Sequence, residues 1–594
     1  MKFQLQILLA ALTVANAAAI TPVETALKKT TELHAMTQAP TPSNGTYVMT
    51  TNVSQRSKTN PIEIVGRKFF DSVTKEQFFL KGIAYQPSRA TNDAIAIKYH
   101  GLTIIDPMLD TRLCMRDLPY LKSLGVNTIR VYAIDTDKSH DECFEAYANA
   151  GIYVLADLSE PDLSVNRKSP SWDTDLFLRY KSVVDALHSY GNVLGFFAGN
   201  EVTNDKTNTN ASPFVKSAIR DTKEYIKEQG YRKIPVGYAS NDDTDTRGNL
   251  ASYFSCGELS ADFYGINMYE WCGYSSFYTS GFKERTEEFK NSKIPVFFSE
   301  FGCNLERPRP FTEVDALFSH LMTDVWSGGL AYMYFEEPNE YGVVQVDSEG
   351  SIVPLADYHN LQKAYLRSHA VGVDYEEYKR KLSSPSSGDS HCPGLSNIWK
   401  ASEELPNYPD AVKCDCMESS LQCKLSTSVK KTDYSRVFEY ACGEIDCFQI
   451  SADGEAGEYG AFSDCSIYQK ASFVLNEVFK QQGSKTGGCD FEGVAQLSRS
   501  LATKSQLSAK TISSGQTCYE FLDTLPRTVA DKNPKSVRNF TDGLSDDNDR
   551  DHNSSSHEGH QALENRAAQQ KFYNNLLWES IGAVIVVGLS IFMS

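Results

Sequence analysis

Eight short apolar runs limit what this chain can fold into. They are FFLKGIAY (78–85), NTIRVYAI (127–134), IYVLADLS (152–159), VLGFFAGN (193–200), IPVGYAS (234–240), FYGINMY (263–269), IPVFFSEF (294–301) and GLAYMYFEE (329–337). Each is rich in β-branched and aromatic residues, and none alternates cleanly between apolar and polar. That pattern marks strands buried on both faces, as in parallel sheets. The polar stretches between the runs are long enough for helices. Strand and helix alternating over 61–375 predict an α/β fold, a (β/α)8 TIM barrel.

In such a barrel the chemistry gathers where strands end. GFFAGNEV (195–202) closes on Asn200-Glu201, and PVFFSEFG (295–302) carries Glu300. These residues would end strands four and seven. A strand-end glutamate alone commonly caps a helix or meets solvent. Two at one mouth can split a glycosidic bond, one as a protonated acid and one as an ionised nucleophile. In a retaining enzyme they stand roughly 5–5.5 Å apart. Unequal surroundings must separate their pKa values. The Asn200 amide can hold a sugar hydroxyl beside the bond being broken.

The remainder of the 594 residues divides by composition. Residues 1–19 open with a lysine, continue apolar and end in small residues, as a secretory signal does. Residues 20–60 read as a flexible Ser/Thr/Pro-rich leader, and 376–413 as a linker. Of the 14 cysteines, five precede residue 390, and 414–520 holds eight: Cys414, Cys416, Cys423, Cys442, Cys447, Cys465, Cys489 and Cys518. That density predicts a small module stapled by disulfides. A zinc site is the alternative, but the spacings make no paired CxxC knuckles. Residues 521–565 read as an acidic, Ser-rich stalk. Residues 566–594 end in IGAVIVVGLSIFMS, short for a membrane span. With the leader signal, this predicts a glycosylphosphatidylinositol (GPI) attachment signal, a tail anchor being the alternative. N-glycosylation sequons stand at Asn44, Asn52, Asn210, Asn539 and Asn553. The net charge of −18 argues against a nucleic-acid partner. GSKTGG (483–488) lacks the spacing of a phosphate-binding loop.

Taken in order, the barrel segments resemble glycoside hydrolase family 72, the fungal cell-wall β-1,3-glucanosyltransferases of the Gas/Phr/Gel group. The matching stretches are KGIAYQP (81–87), NTIRVYAID (127–135), DLSEPDLSVNR (157–167), FFAGNEV (196–202), YASNDD (238–243), YGINMYEWCG (264–273), FFSEFGCN (297–304) and GLAYMYFEEPNEYG (329–342). The Cys-rich region resembles the family 43 (X8-type) carbohydrate-binding module.

The resemblance implies a retaining transglycosylase. It would cleave β-1,3-glucan internally and pass the new reducing end to the non-reducing end of another glucan. Glu201 would be the acid/base and Glu300 the nucleophile. Asn200 would bind the donor 2-hydroxyl, and Tyr269 would donate a hydrogen bond to the nucleophile. Gln86, Tyr132, Asn166, Asp242, Arg247 and Tyr332 would line the glucan cleft, with Tyr132 and Tyr332 as sugar platforms. For Asp242 and Arg247 a salt-bridged loop is the alternative. The partners are donor and acceptor glucan chains and a membrane lipid anchor, with no cofactor, metal or nucleotide sugar. The expected location is the outer face of the plasma membrane or the cell wall. An endo-glucanase or a non-catalytic glucan binder are the alternatives. The resemblance also implies the pairs Cys114–Cys143, Cys256–Cys392, Cys272–Cys303, Cys414–Cys465, Cys416–Cys518, Cys423–Cys489 and Cys442–Cys447.

Overall fold

A computed structural model describes residues 59–525, except 88–96, 100–101, 161–162 and 383–390. The expected signal, attachment signal and most of the leader and stalk lie outside the described residues, as do all the sequons but Asn210.

The barrel strands are β1 (Leu80–Ala84), β2 (Thr128–Val131), β3 (Tyr153–Asp157), β4 (Val193–Asn200), β5 (Val236–Ser240), β6 (Tyr264–Cys272), β7 (Val296–Cys303) and β8 (Trp326–Ala331). All are parallel, each pairs with the next in sequence, and β8 closes onto β1. Around them run α1 (Thr111–Leu124), α2 (Asp141–Asn149), α3 (Thr174–Leu187), α4 (Ser212–Glu228), α5 (Arg247–Ser255), α6 (Phe282–Phe289), the short α7 (Glu313–Leu317) and α8 (Ala356–Arg367).

Local signals set these boundaries. Asp110 caps α1 by accepting from the N–H groups of Arg112 and Leu113, and Gly125 ends it in the left-handed region. Asp173 caps α3 through the Leu176 N–H. At the seam, Gly328 has φ +94° and its hydrogen faces the Leu80 carbonyl, leaving no room for a side chain.

Two strand expectations need correction. The run 78–85 is not one strand. Gln77–Phe78 belongs to an antiparallel sheet with Ile62–Val65 and Lys68–Asp71. The run 329–337 is also misplaced, because β8 spans Trp326–Ala331. Residues beyond it stay apolar because they are buried in the core between the strands and the surrounding helices. Tyr334 and Phe335 pack on Tyr85, with ring centroids 5.4 and 5.3 Å away.

The small N-terminal sheet packs into the barrel interior. Ile62 and Phe69 share a buried cluster with Leu80, Leu155, Leu194, Phe197, Phe297 and Leu330. Lys68 Nζ donates to the carbonyls of Thr323 and Asp324, just before β8. The sheet therefore stops the end of the barrel opposite the strand C-termini.

The expected linker is largely ordered against the barrel. A helix, α9 (Tyr375–Leu382), sets Tyr375 and Tyr378 5.1 and 5.9 Å from Phe70. Further on, Trp399 is fully buried with its ring 5.3 Å from Tyr253. The Tyr253 hydroxyl donates to the Ser402 carbonyl at 2.6 Å. The Cys256–Cys392 disulfide adds a covalent tie.

The Cys-rich module is built on α10 (Ala411–Ser420), α11 (Tyr434–Glu444) and α12 (Ile467–Gln481), with a two-stranded ribbon of Cys423–Leu425 and Ala495–Leu497. The apolar stripe SFVLNEVF lies on α12, which starts in a Ser466/Gln469 capping box. A buried Lys413–Asp464 ion pair at 2.6 Å joins its parts. The Asp464 carbonyl also accepts from Thr174 N–H, the first residue of α3, which docks the module on the barrel. The seven disulfides are Cys114–Cys143, Cys256–Cys392, Cys272–Cys303, Cys414–Cys465, Cys416–Cys518, Cys423–Cys489 and Cys442–Cys447, the pairs the resemblance implies. The cluster Cys414, Asp464 and Cys465 offers no thiolates to a metal, since its cysteines are bonded to each other. Among the described residues no helix is long and apolar enough to cross a membrane.

Phe69 is fully buried, with ring centroids 6.4 and 6.1 Å from Phe263 and Phe297. Phe69→Ala is expected to cost about 3–5 kcal/mol. Exposed Val73→Ala, in the turn after the same hairpin, should change stability little. Urea unfolding of the two variants measures the difference, and equal midpoints would remove the sheet from the list of structural supports.

Candidate active site

β7 carries Glu300 to the mouth, where it is 8% exposed. The Tyr269 hydroxyl donates to its Oε2 at 2.8 Å. The Tyr132 hydroxyl donates to its Oε1 at 3.0 Å, and Arg130 Nη1 stands 3.5 Å from the same oxygen. Both oxygens are thus held, so the carboxylate plane has little freedom.

Arg130, on β2, is completely buried. Its Nε and Nη2 grip the Asp157 carboxylate at 3.0 and 2.9 Å. Nη2 also donates to Asn200 Oδ1 at 3.0 Å. The guanidinium lies 4.3 Å from the Tyr132 ring and 4.2 Å from the Phe197 ring. A buried cation is tolerated only with such pairing, and an arginine fork suits several acceptors at once. Burial pushes Glu300 up to about 7; the Glu201 charge adds to this, while Arg130 and the two tyrosine hydroxyls oppose it. Burial beside Glu300 holds the Tyr269 hydroxyl well above its ordinary pKa, so it stays a donor.

Glu201 follows β4 with φ 47°, an uncommon conformation for a residue with a side chain. Its N–H donates to the Ala239 carbonyl at 2.8 Å, and its own carbonyl accepts from Arg167 Nη2 at 2.7 Å. Asn267 Nδ2 donates to Glu201 Oε1 at 2.7 Å, while Asn267 Oδ1 accepts from the Ser299 hydroxyl at 2.7 Å. Asn267 is the register partner of Glu300 on β6. It therefore stands between the two glutamates and orients one of them.

The other expected site residues are placed as follows. Gln86 spans two backbones: its Nε2 donates to the Ile105 carbonyl at 2.6 Å and its Oε1 accepts from Tyr132 N–H at 3.0 Å. It braces the mouth below Tyr132. Tyr132, expected as a sugar platform, has Arg130 4.3 Å from its ring and its hydroxyl on Glu300 at 3.0 Å, which places it at the nucleophile. Tyr332 and Tyr269 both pack edge-on against Tyr341, at 5.4 and 5.8 Å. Buried Arg309 fixes this wall by donating to the carbonyls of Gly302, Tyr332 and Tyr341 while pairing with Asp357 at 2.6 Å. Asn166 is exposed, with Oδ1 accepting from the N–H groups of Lys168 and Ser169. Arg247 pairs with Asp242 at 2.9 Å and with Glu288 at 3.1 Å, which is the salt-bridged alternative. Burial and the neighbouring Asp242 push Glu270, in the same network, up to about 7.

Arg130, Asp157, Asn267 and Arg309 were not foreseen. Three carried a signal. Arg130 is the one charged residue in NTIRVYAI, and Asp157 is the one in IYVLADLS. Asn267 interrupts FYGINMY. A polar group inside a run buried on both faces must find a partner there.

A parallel (β/α)8 barrel with two glutamates at its mouth, one braced by a buried arginine and two tyrosines, is the architecture of a two-carboxylate glycoside-processing enzyme. The sequence family described as Glucanosyltransferase matches residues 51–369, and the X8 domain matches 421–496. The chain is 54% identical over 440 residues to 1,3-beta-glucanosyltransferase GAS2 of Saccharomyces cerevisiae, covering 73% of this chain and 78% of that one. It is 51% identical over 449 residues to pH-responsive protein 1 of Candida albicans, covering 74% and 80%. The solved structure of Saccharomyces cerevisiae Gas2p in complex with laminaritriose and laminaritetraose is 53% identical, with a TM-score of 0.69 over 74% of this chain and 98% of that chain. The chain belongs to the glucanosyltransferase family, glycoside hydrolase family 72.

Glu300 generates a pH-dependent stability. Unfolded, it releases its proton near pH 4.3, whereas folded it holds it to about 7. Between those values the folded chain binds more protons, so this contribution is complete below the unfolded pKa and is lost as pH rises through 7. Glu300→Gln lacks the titration. Relative to wild type, the variant should gain on the order of 1–3 kcal/mol between pH 4.5 and 7.5. Urea midpoints at the two pH values measure it, and a pH-independent difference would refute it.

Proposed function

We propose that the chain is a cell-wall 1,3-beta-glucanosyltransferase in which Glu201 and Glu300 work with retention. The observation that carries the assignment of roles is the unequal bracing of the two carboxylates. Glu300 receives hydroxyl donors on both oxygens with Arg130 alongside, as an anionic nucleophile requires. Glu201 is turned by a single amide from Asn267, leaving it to serve as the proton carrier.

In the first step Glu201 gives its proton to the glycosidic oxygen as a Glu300 oxygen bonds to the anomeric carbon. The carbon–oxygen bond of the glucan breaks, and the fragment carrying the former reducing end leaves with a new hydroxyl. The donor remains as an ester on Glu300. In the second step ionised Glu201 takes the proton from the 3-hydroxyl at the non-reducing end of another glucan. That oxygen attacks the anomeric carbon, the ester breaks, and a new β-1,3 bond replaces the old one. Two inversions give net retention, and no activated sugar is consumed. Asn200, oriented by Arg130, is the residue we assign to the donor 2-hydroxyl. The apolar wall of Tyr332 and Tyr341 suits the C–H faces of pyranose rings. We further assign the protein to the outer face of the plasma membrane through a lipid at the 566–594 signal, on the sequence of its two ends.

Incubation with a reduced linear β-1,3-gluco-oligosaccharide, with products read by mass, tests this. Wild type should yield products longer than the starting chain, and only shorter ones would make the protein a hydrolase. Glu201→Gln should lower turnover about 10²–10⁴-fold while retaining binding. Unchanged turnover would remove the acid/base assignment.

A further inference from the structure

We propose that Tyr274, Tyr278 and Leu305 form an outer ledge that holds the distal part of a long β-1,3-glucan chain entering the cleft. The proposal rests on the glucan reading above and adds a binding site to it.

Three large side chains stand out into solvent on two adjoining loops. Tyr274 is 83% exposed, Tyr278 66% and Leu305 75%. Single exposed apolar residues are ordinary, but a cluster of them at the rim of a site marks a binding surface. The loops are neighbours by construction. Cys272 at the end of β6 is both the register partner and the disulfide partner of Cys303 at the end of β7. Tyr274 and Leu305 each lie two residues further on, so both leave the rim at the same place. The Glu306 side chain lies against Gly273, so the two loops are in contact.

The ledge is also pre-formed. Thr312 Oγ1 donates to the Gly273 carbonyl at 3.0 Å and accepts from Trp271 Nε1 at 3.0 Å. The turn that follows is closed by Thr279 N–H on the Ser276 carbonyl at 3.1 Å and by the Ser276–Thr279 hydroxyl pair at 2.9 Å. The Phe277 ring supports Tyr278 edge-on at 5.2 Å. Loops fixed this way lose little freedom on binding.

Continuity with the cleft identifies the occupant. Tyr269, whose hydroxyl rests on Glu300, is five residues before Tyr274 in the same segment. At ~3.3 Å per residue that is at most about 16 Å. The segment 269–274 thus leads from Glu300 to the rim, where a chain extending that way from the glutamates would meet the exposed rings. Exposed rings offer it flat apolar faces, and Ser275, Ser276 and Thr279 offer hydroxyl partners beside them. On this proposal a chain shorter than the distance from Glu300 to the ledge gains nothing from it, so the ledge would select for length.

The test compares wild type with Tyr274→Ala/Tyr278→Ala and Tyr274→Phe/Tyr278→Phe on a short reduced β-1,3-gluco-oligosaccharide and on long soluble β-1,3-glucan. Co-sedimentation with insoluble β-1,3-glucan reads binding independently of turnover. The alanine pair should lose about tenfold in kcat/KM and in affinity for the long chain, and stay within about twofold of wild type on the short one. The phenylalanine pair should behave as wild type, since the ring face suffices. Equal losses on short and long chains, or unchanged affinity for long glucan, would overturn the ledge. Unchanged glucan affinity would instead leave the patch as a surface for another protein. If wild type neither cleaves nor transfers either chain, the catalytic reading fails, and co-sedimentation alone still decides the ledge.

Discussion

The mouth of this barrel depends on one buried guanidinium. Arg130 has no exposure to water, so its charge must be balanced within the protein. Asp157 on β3 balances it directly, Asn200 on β4 and Glu300 on β7 fill further donor positions, and Tyr132 and Phe197 cover its faces. One side chain therefore ties together strands from opposite parts of the barrel. It also bears on the electrostatics, because it opposes the burial that pushes Glu300 up to about 7. The tyrosines on Glu300 then set the angle of a carboxyl group that Arg130 approaches at 3.5 Å.

Everything around that centre limits movement. The opposite end is stopped by the Ile62 and Phe69 sheet, so the strands cannot slide along the barrel axis without breaking an apolar cluster. Arg309 secures the β7 and β8 exits from beneath Tyr332 and Tyr341. Trp399 and Cys256–Cys392 hold the segment leading to the module, and the module meets α3 through Asp464. A relay that must hold a sugar on one carboxylate while leaving groups exchange gains from such preorganised supports.

Much of the architecture was legible because strands buried on both faces declare themselves by composition. The eight-strand barrel and the two strand-end glutamates followed from that. Boundaries were less legible. GLAYMYFEE reads as one strand because core residues beyond β8, such as Tyr334 and Phe335, are as apolar as strand residues. FFLKGIAY joins an edge strand to β1 because no polar residue separates them. The stretch 376–413 reads as a linker from its Ser, Pro and Gly, although Trp399 within it is fully buried. That the Tyr132 hydroxyl rests on Glu300 was not legible, because residue type does not reveal where a hydroxyl points.

The order of the barrel, the identity of the two glutamates and the density of cysteines were determined by the sequence itself. They are properties of residue type and spacing along the chain. Which groups surround each glutamate was decided only in three dimensions. Arg130, Asp157, Asn200, Asn267 and Glu300 come from five different strands, and their separations in sequence carry no distance. Closure of the barrel brings them within hydrogen-bond reach. That closure, rather than any local pattern, braces one carboxyl group on both oxygens and leaves the other turned by a single amide.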